Sequence, residues 1–314
     1  MENAPYHGQI ARNETGMAHW LRCVDGVRIR VGAWPLESAR GTVLMFPGRT
    51  EYVEKYGLAA ADFAARGYAS VAIDWRGQGL ADRMHDNAAV GHVGRFEDYQ
   101  LDAQAVLEHV RALGLPEPYH LLAHSMGGCI GLRALYEDYP VESAAFSAPM
   151  WGIQMAAPLR PIAWGLSEVS KQLGFSHIFA PGQQAETYVL RATFEENTLT
   201  SDREMFDLLQ DQLRAEPALS LGGPSLHWLN EALRETRDLS RREAPTLPAV
   251  TFLGSDEMIV DMERIQQRMA GWTKGELVMM PGGRHEVIME RPEIRGALFD
   301  RAVALFDARQ THAA

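Results

Sequence analysis

A chain of 314 residues exceeds what one compact core ordinarily fills, because cores stop growing near ~250–300 residues; one large domain with an inserted subdomain fits best. Hydrophobic residues at 46% and charged residues at 23% give the balance of an ordinary soluble globular protein. A net charge of −11 argues against nucleic acid, which needs a basic surface, and does not favour standing attachment to anionic membranes.

Residues 1–17 are polar and lack the apolar stretch of a signal peptide. No apolar run reaches the ~18 residues that span a bilayer, so the cytoplasm is the expected location. The run TVLMF (42–46) reads as a buried strand, 53–66 as a helix and ASVAI (69–73) as the next strand. Residues 96–113 read as a helix, with Phe96, Tyr99, Ala103, Val106, Leu107 and Val110 at helical spacing. A strand at 119–123 runs into Ser125, a helix follows at 126–139, and another strand at 144–147. This alternation predicts a mostly parallel sheet with helices on both faces, an α/β architecture.

The rhythm breaks after Pro149. Residues 150–243 show helical patches and no convincing strand, punctuated by prolines at 158, 161, 181, 217 and 224. The alternation resumes with a strand at 249–253, a helix at 262–270, a strand at 276–280 and a helix at 293–309 that turns Ile294, Leu298, Ala302 and Leu305 to one side. The expected organisation is therefore a core (1–149), a helical cap (150–243) and the rest of the core (244–314). Cys23 and Cys129 make no disulfide framework, and Cys129 reads as a small core residue.

The strongest chemical signal is LLAHSMGG (121–128). A serine between a strand and a helix, with small residues two places either side, forms a tight turn that holds the hydroxyl out at the carboxyl edge of the sheet. Ala123 stands where glycine is usual, and Gly127 keeps the second small position. Serine needs a base. Among 11 histidines, His285 lies in MMPGGRHE, on a loop before the final helix, where the base is expected. His124 should point away from Ser125, and His227 reads as structural or substrate-facing. The imidazole needs a carboxylate. Asp256, Glu257 and Asp261 follow the strand at 249–253, and spacing does not choose among them. Two backbone N–H groups are expected to form an oxyanion hole: that of Met126, and that of Arg49 in FPGRTE. The DWRGQG segment (74–79) lacks the full dinucleotide fingerprint and reads as a structural loop, and LGGP (221–224) is too short for a phosphate loop. No metal-binding motif is present, so neither metal nor cofactor is expected. Trp151, Ile153, Met155, Trp164, Leu166, Phe175, Ile178 and Phe179 lie in the cap; much of this must be core, and whatever is left over is expected to make an apolar acyl pocket over the site.

With these motifs in hand, the chain resembles the monoacylglycerol lipase and bacterial lysophospholipase group of the α/β-hydrolases, relatives of the serine aminopeptidases, over nearly its whole length. The likeness rests on PGRTE (47–51), DWRGQG, GHVGRFEDY (91–99), AHSMGG (123–128), SAPM (147–150), NTLTSD (197–202), LGGP, GSDEMIVD (254–261) and GGRHE (282–286). LGGP and the PGR loop resemble the bacterial lysophospholipases more than the animal monoacylglycerol lipases, whose loop begins His-Gly. The resemblance implies the α/β-hydrolase fold, Ser125 as nucleophile, His285 as base, and Arg49 and Met126 as oxyanion donors. Its usual spacing puts the acid three residues after Gly254, at Glu257 rather than the more common Asp, with Asp256 second and Asp261 third. It implies an ester carrying one acyl chain as substrate, a lysophospholipid or a monoacylglycerol, and transient contact of the cap with a membrane or micelle. A short-chain ester, acyl transfer or a peptide N-terminus on the same machinery is the nearer rival. A non-catalytic binding protein is the remote one, because every catalytic element is present.

Overall fold

The computed structural model describes residues 1–156 and 158–310. Position 157 of the expected cap and 311–314 of the last core segment lie outside the described residues. In chain order the strands and helices are β1 (Glu2–Asn3), β2 (Met17–Arg22), β3 (Arg28–Trp34), β4 (Thr42–Phe46), α1 (Gly57–Ala65), β5 (Ala69–Asp74), α2 (Tyr99–Ala112), β6 (Tyr119–His124), α3 (Met126–Tyr136), β7 (Ser143–Ser147), α4 (Leu159–Gln172), α5 (Tyr188–Arg191), α6 (Arg203–Ala215), α7 (Leu226–Ser240), β8 (Ala249–Gly254), α8 (Met262–Ala270), β9 (Gly275–Met280) and α9 (Pro292–Gln310).

The nine strands form one sheet in the order β1-β2-β3-β5-β4-β6-β7-β8-β9. From β5 to β9 every pairing is parallel; β1, β2 and β3 add an antiparallel flank. Side chains alternate across a strand, and both faces are covered, so the central strands are mostly apolar on both faces. Leu44, Phe46, Val71, Leu121 and Phe146 pack with α2, α3 and α8 on one face. Val43, Met45, Ala72, Leu122 and Phe252 pack with α1 and α9 on the other. Burying each such valine, leucine, methionine or phenylalanine contributes about 1.5–3 kcal/mol, an upper figure because the unfolded chain is itself partly collapsed. This is the α/β-hydrolase fold with a helical cap inserted between β7 and β8, as the sequence leads one to expect.

Local boundaries differ from expectation where single residues intervene. The helix expected at 53–66 begins as a 3-10 turn over Val53–Tyr56 before α1. The helix expected to reach 139 stops at Tyr136, because Asp138 takes φ 55° and Pro140 follows. Pro161 does not punctuate the cap: it sits in the first turn of α4, where its missing N–H costs nothing. The cap segment carries no named strand among its described residues, only isolated bridges such as Phe179 with Ser225. Among the described residues no helix is long and apolar enough to cross a membrane.

Strand order sets the position of the chemistry. The chain steps from β4 to β5 on one side and then to β6 on the other, which opens a crevice at the carboxyl ends of β4 and β6. The loops after β4, β6, β8 and β9 all emerge at that edge.

Candidate active site

Ser125 joins β6 to α3 with φ 50° and ψ −118°. A serine in this region carries about 1–3 kcal/mol of backbone strain. Hydrogen bonds hold it there: its N–H donates to Ser147 O at 3.0 Å, and its carbonyl accepts from Gly128 N at 2.9 Å and Met150 N at 2.8 Å. Gly127 is required, since a Cβ there would stand 2.0 Å from Phe46 O. Ala123 is accommodated by Gly131 opposite, where an added Cβ would already lie 3.2 Å from the alanine methyl.

The structure brings His285 and Glu257 to this serine. His285 Nε2 lies 2.9 Å from Ser125 Oγ, and Nδ1 lies 2.8 Å from Glu257 Oε2. The other carboxylate oxygen of Glu257 accepts from Ile259 N at 2.6 Å and Val260 N at 3.1 Å, so the carboxylate is fixed at both ends. All three side chains are buried. Burial alone would lower the His285 pKa, but the charge and hydrogen bond of Glu257, helped by Glu286 and Glu51, hold it above the ordinary value. Burial would raise Glu257, and the same contact with His285, with two backbone N–H groups, holds it below. Asp256 is exposed and accepts from Ser255 Oγ at 2.9 Å. Asp261 caps α8 and pairs with Arg160 at 3.1 Å. Neither aspartate touches His285.

The loop after β4 closes the other side. A Cβ on Gly48 would stand 3.0 Å from Ser125 Cβ, so loop and elbow are in contact. The N–H of Arg49 has no acceptor among the described residues. Met126 is the first residue of α3, so its N–H has no intrahelical acceptor. The loop is braced by the DWRGQG segment, which was expected to be structural. Gln78 accepts from Thr50 N and donates to Gly48 O, each at 3.0 Å, and Trp75 Nε1 donates to Pro47 O at 2.9 Å.

Beneath the site lies a buried charge cluster that the sequence reading missed. Lys55 Nζ donates to Glu286 at 2.6 Å and also to Glu51. Glu51 accepts from Gly48 N at 2.5 Å and from Tyr56 OH at 2.7 Å. His124 points into this cluster, away from Ser125 Oγ, with Nε2 3.2 Å from Glu286 and 3.4 Å from Glu51 but off the hydrogen-bond line. Burial would raise the Glu286 pKa; Lys55, then His124 and His285, hold it well below the carboxylate range. Ligand atoms of Glu51, His124 and Glu286 lie within 4.8 Å of one another. The ammonium of Lys55 already supplies the positive charge these carboxylates require, and no metal is assigned. The available signal was position, because Glu51 closes PGRTE and Glu286 follows His285. His227 is a structural pin, its Nε2 2.7 Å from Gly94 O.

A cavity of about 460 Å³ lies over Ser125, lined by Met150, Ile153, Leu159, Ile162, Leu166 and Trp228 among others. Of those eight apolar cap residues, Ile153, Met155 and Leu166 line it, Trp164, Phe175, Ile178 and Phe179 do not, and Trp151 packs on Phe146 and Trp272 in the core. A cleft of similar size lined by Arg133, Glu235 and Arg237 is polar and does not include Ser125.

Residues 37–292 match the family model described as serine aminopeptidase, S33. The chain is 28% identical to a protein named probable lysophospholipase L2 from Haemophilus influenzae, over 83% of this chain and 82% of that protein. It is 28% identical to lysophospholipase L2 of Escherichia coli K12, over 90% and 85%. In structure it resembles a soluble variant of monoglyceride lipase from Saccharomyces cerevisiae, solved with a substrate analogue, at a TM-score of 0.74, 18% identity and coverage of 97% and 99%. It also resembles a carboxyl esterase from Bacillus coagulans, at a TM-score of 0.71, 14% identity and coverage of 94% and 99%.

Proposed function

The chain belongs to the serine aminopeptidase S33 family of hydrolases, and from that premise we propose that it hydrolyses carboxylic esters bearing one acyl chain, lysophospholipids or monoacylglycerols, through an acyl-enzyme on Ser125. The observation that carries this reading is the hydrogen-bonded chain Ser125–His285–Glu257 at the floor of an apolar cavity. Ser125 Oγ attacks the ester carbonyl carbon while His285 Nε2 takes its proton. The oxyanion is received by the N–H groups of Arg49 and Met126. His285 then protonates the leaving alcohol oxygen, the C–O bond breaks, and the acyl group stays on Ser125. A water deprotonated by His285 attacks the acyl carbon, and the fatty acid leaves as Oγ recovers its proton. Glu257 fixes the imidazole and stabilises its cation without taking the proton.

The cavity volume suits one small-molecule ligand. Exposed Leu159, Ile162 and Val169 on α4, with Leu173 just after it, give the cap an apolar face that begins at the cavity with Leu159 and Ile162 and is suited to transient contact with a lipid surface. The names of the lysophospholipase relatives agree with this substrate class. Peptide N-termini fit less well. An aminopeptidase must hold an α-ammonium, and the one charged residue lining the cavity among the described residues is a cation, Arg49. The test is turnover of a monoacylglycerol, a lysophospholipid, a long-chain triacylglycerol and an aminoacyl amide, all in detergent. Fast release from the two one-chain lipids is expected. Equal rates on the triacylglycerol, or preference for the amide, would overturn the reading.

A further inference from the structure

We infer that Arg49 is an anion-recognition residue, its guanidinium binding the phosphate of an ester substrate's head group while the carbonyl sits at Ser125. This rests on the reading of Ser125 as nucleophile. It narrows the substrate class from one-chain esters to phosphorylated ones.

The fully buried cations of this protein come with carboxylates, whereas the half-buried Arg49, Arg83 and Arg284 donate to backbone carbonyls. Arg30 pairs with Asp74 and Glu54, each at 2.7 Å. Arg76 pairs with Asp102 at 2.8 Å, Lys55 with Glu286 at 2.6 Å, and Arg133 with Glu235. Among Arg49, Arg83 and Arg284, Arg49 is the one that lines the cavity over Ser125. Its guanidinium makes no ion pair among the described residues. Its one protein hydrogen bond is from Nη1 to the neutral carbonyl of Gly222, at 3.0 Å. Gly91 and Tyr99 stand beside it, and the centre of the Trp228 ring lies 5.6 Å from the guanidinium carbon. Arg49 keeps some accessible surface and lines the cavity; burial among protein atoms pushes its guanidinium down to about 10, so it stays a cation at neutral pH.

A cation held without a counter-charge in apolar surroundings is costly, and an arriving anion relieves that cost. A planar guanidinium matches a phosphate, offering it several N–H donors at once. The position is apt as well. The backbone N–H of Arg49 faces the reacting carbonyl in the mechanism above, and its side chain extends from there to Gly222. In a lysophospholipid the phosphate lies only a few bonds of glycerol from the ester. The net charge of −11 makes bulk attraction of anions a poor alternative.

The test compares kcat/KM for a lysophosphatidylglycerol and a 1-monoacylglycerol of the same acyl chain in wild type, Arg49→Met and Arg49→Lys. The wild type is expected to favour the phospholipid. In Arg49→Met the ratio of phospholipid to neutral lipid should fall at least tenfold, chiefly through KM, and Arg49→Lys should recover part of it. An equal loss on both substrates would reduce Arg49 to a strut against Gly222 and overturn the inference, as would a wild-type preference for the neutral lipid. If Arg49→Met does not fold, the ratio in Arg49→Lys decides, because it keeps the charge and loses the planar fork: a fall supports the inference, and no change overturns it. Inorganic phosphate is the remaining arm. Weak competition against the phospholipid alone supports a head-group site, whereas equal inhibition of both substrates marks a free-phosphate site and overturns the assignment. Failure of the underlying hydrolase reading looks different, with neither lipid cleaved by the wild type.

Discussion

Lys55 Nζ and Glu286 Oε2 lie 2.6 Å apart in the interior, one residue along the chain from His285. The contact ties the His285 loop to the turn that follows the loop after β4, and Glu51 completes the tie by accepting from both Lys55 and Gly48. Stability and geometry at the site therefore share one ion cluster.

Replacing Lys55 with methionine should be strongly destabilising. It removes the one cation between two buried carboxylates, and breaking a buried pair from one side costs about 3–5 kcal/mol. Urea unfolding followed by circular dichroism measures this directly. A midpoint close to wild type would show that water or protonation compensates the carboxylates.

Glu257→Gln should lower kcat by about 10³-fold or more, because the amide cannot stabilise the imidazolium. Asp256→Asn should stay within a few-fold of wild type, because Asp256 is exposed and bonded to Ser255. Steady-state rates on a soluble ester decide between them. A large fall in the asparagine variant alone would move the acid to Asp256.

The acid limb of the pH–kcat/KM profile should lie above 6.5. His285 must be neutral to act as base, and Glu257 holds its pKa above the ordinary value against the opposing effect of burial. Activity therefore falls as pH drops through that raised pKa. In Glu257→Gln the raising charge is gone and burial remains, so the limb of the residual activity should move to lower pH. An unmoved limb would mean that another group titrates there.

The elements that carry the site were legible because their signals are local. A strand running into Ser125 followed by Met-Gly-Gly, and a histidine after a Gly-Gly turn, need no distant partner to be recognised. The antiparallel flank was not legible. β3 contains Arg30, fully buried, and its polarity makes sense only beside Glu54 and Asp74, which lie 24 and 44 residues away. The Lys55 cluster was hidden in the same way, because Glu51 and Glu286 come from the loops after β4 and β9 and His124 from the end of β6. In the cap, apolar residues were visible, but sequence did not separate Leu166, which lines the cavity, from Trp151, which fills the core.

The most direct test of the account is Ser125→Ala. The wild-type protein should react with a fluorophosphonate and carry the adduct on Ser125 in the peptide mass spectrum. It should also release fatty acid from a one-chain ester. The alanine variant should fold with the wild-type circular dichroism spectrum, take no label, and lose activity by several orders of magnitude, as knockouts of such residues do. A folded alanine variant that still hydrolyses the ester at the wild-type rate, or a label found on another residue, would contradict the account.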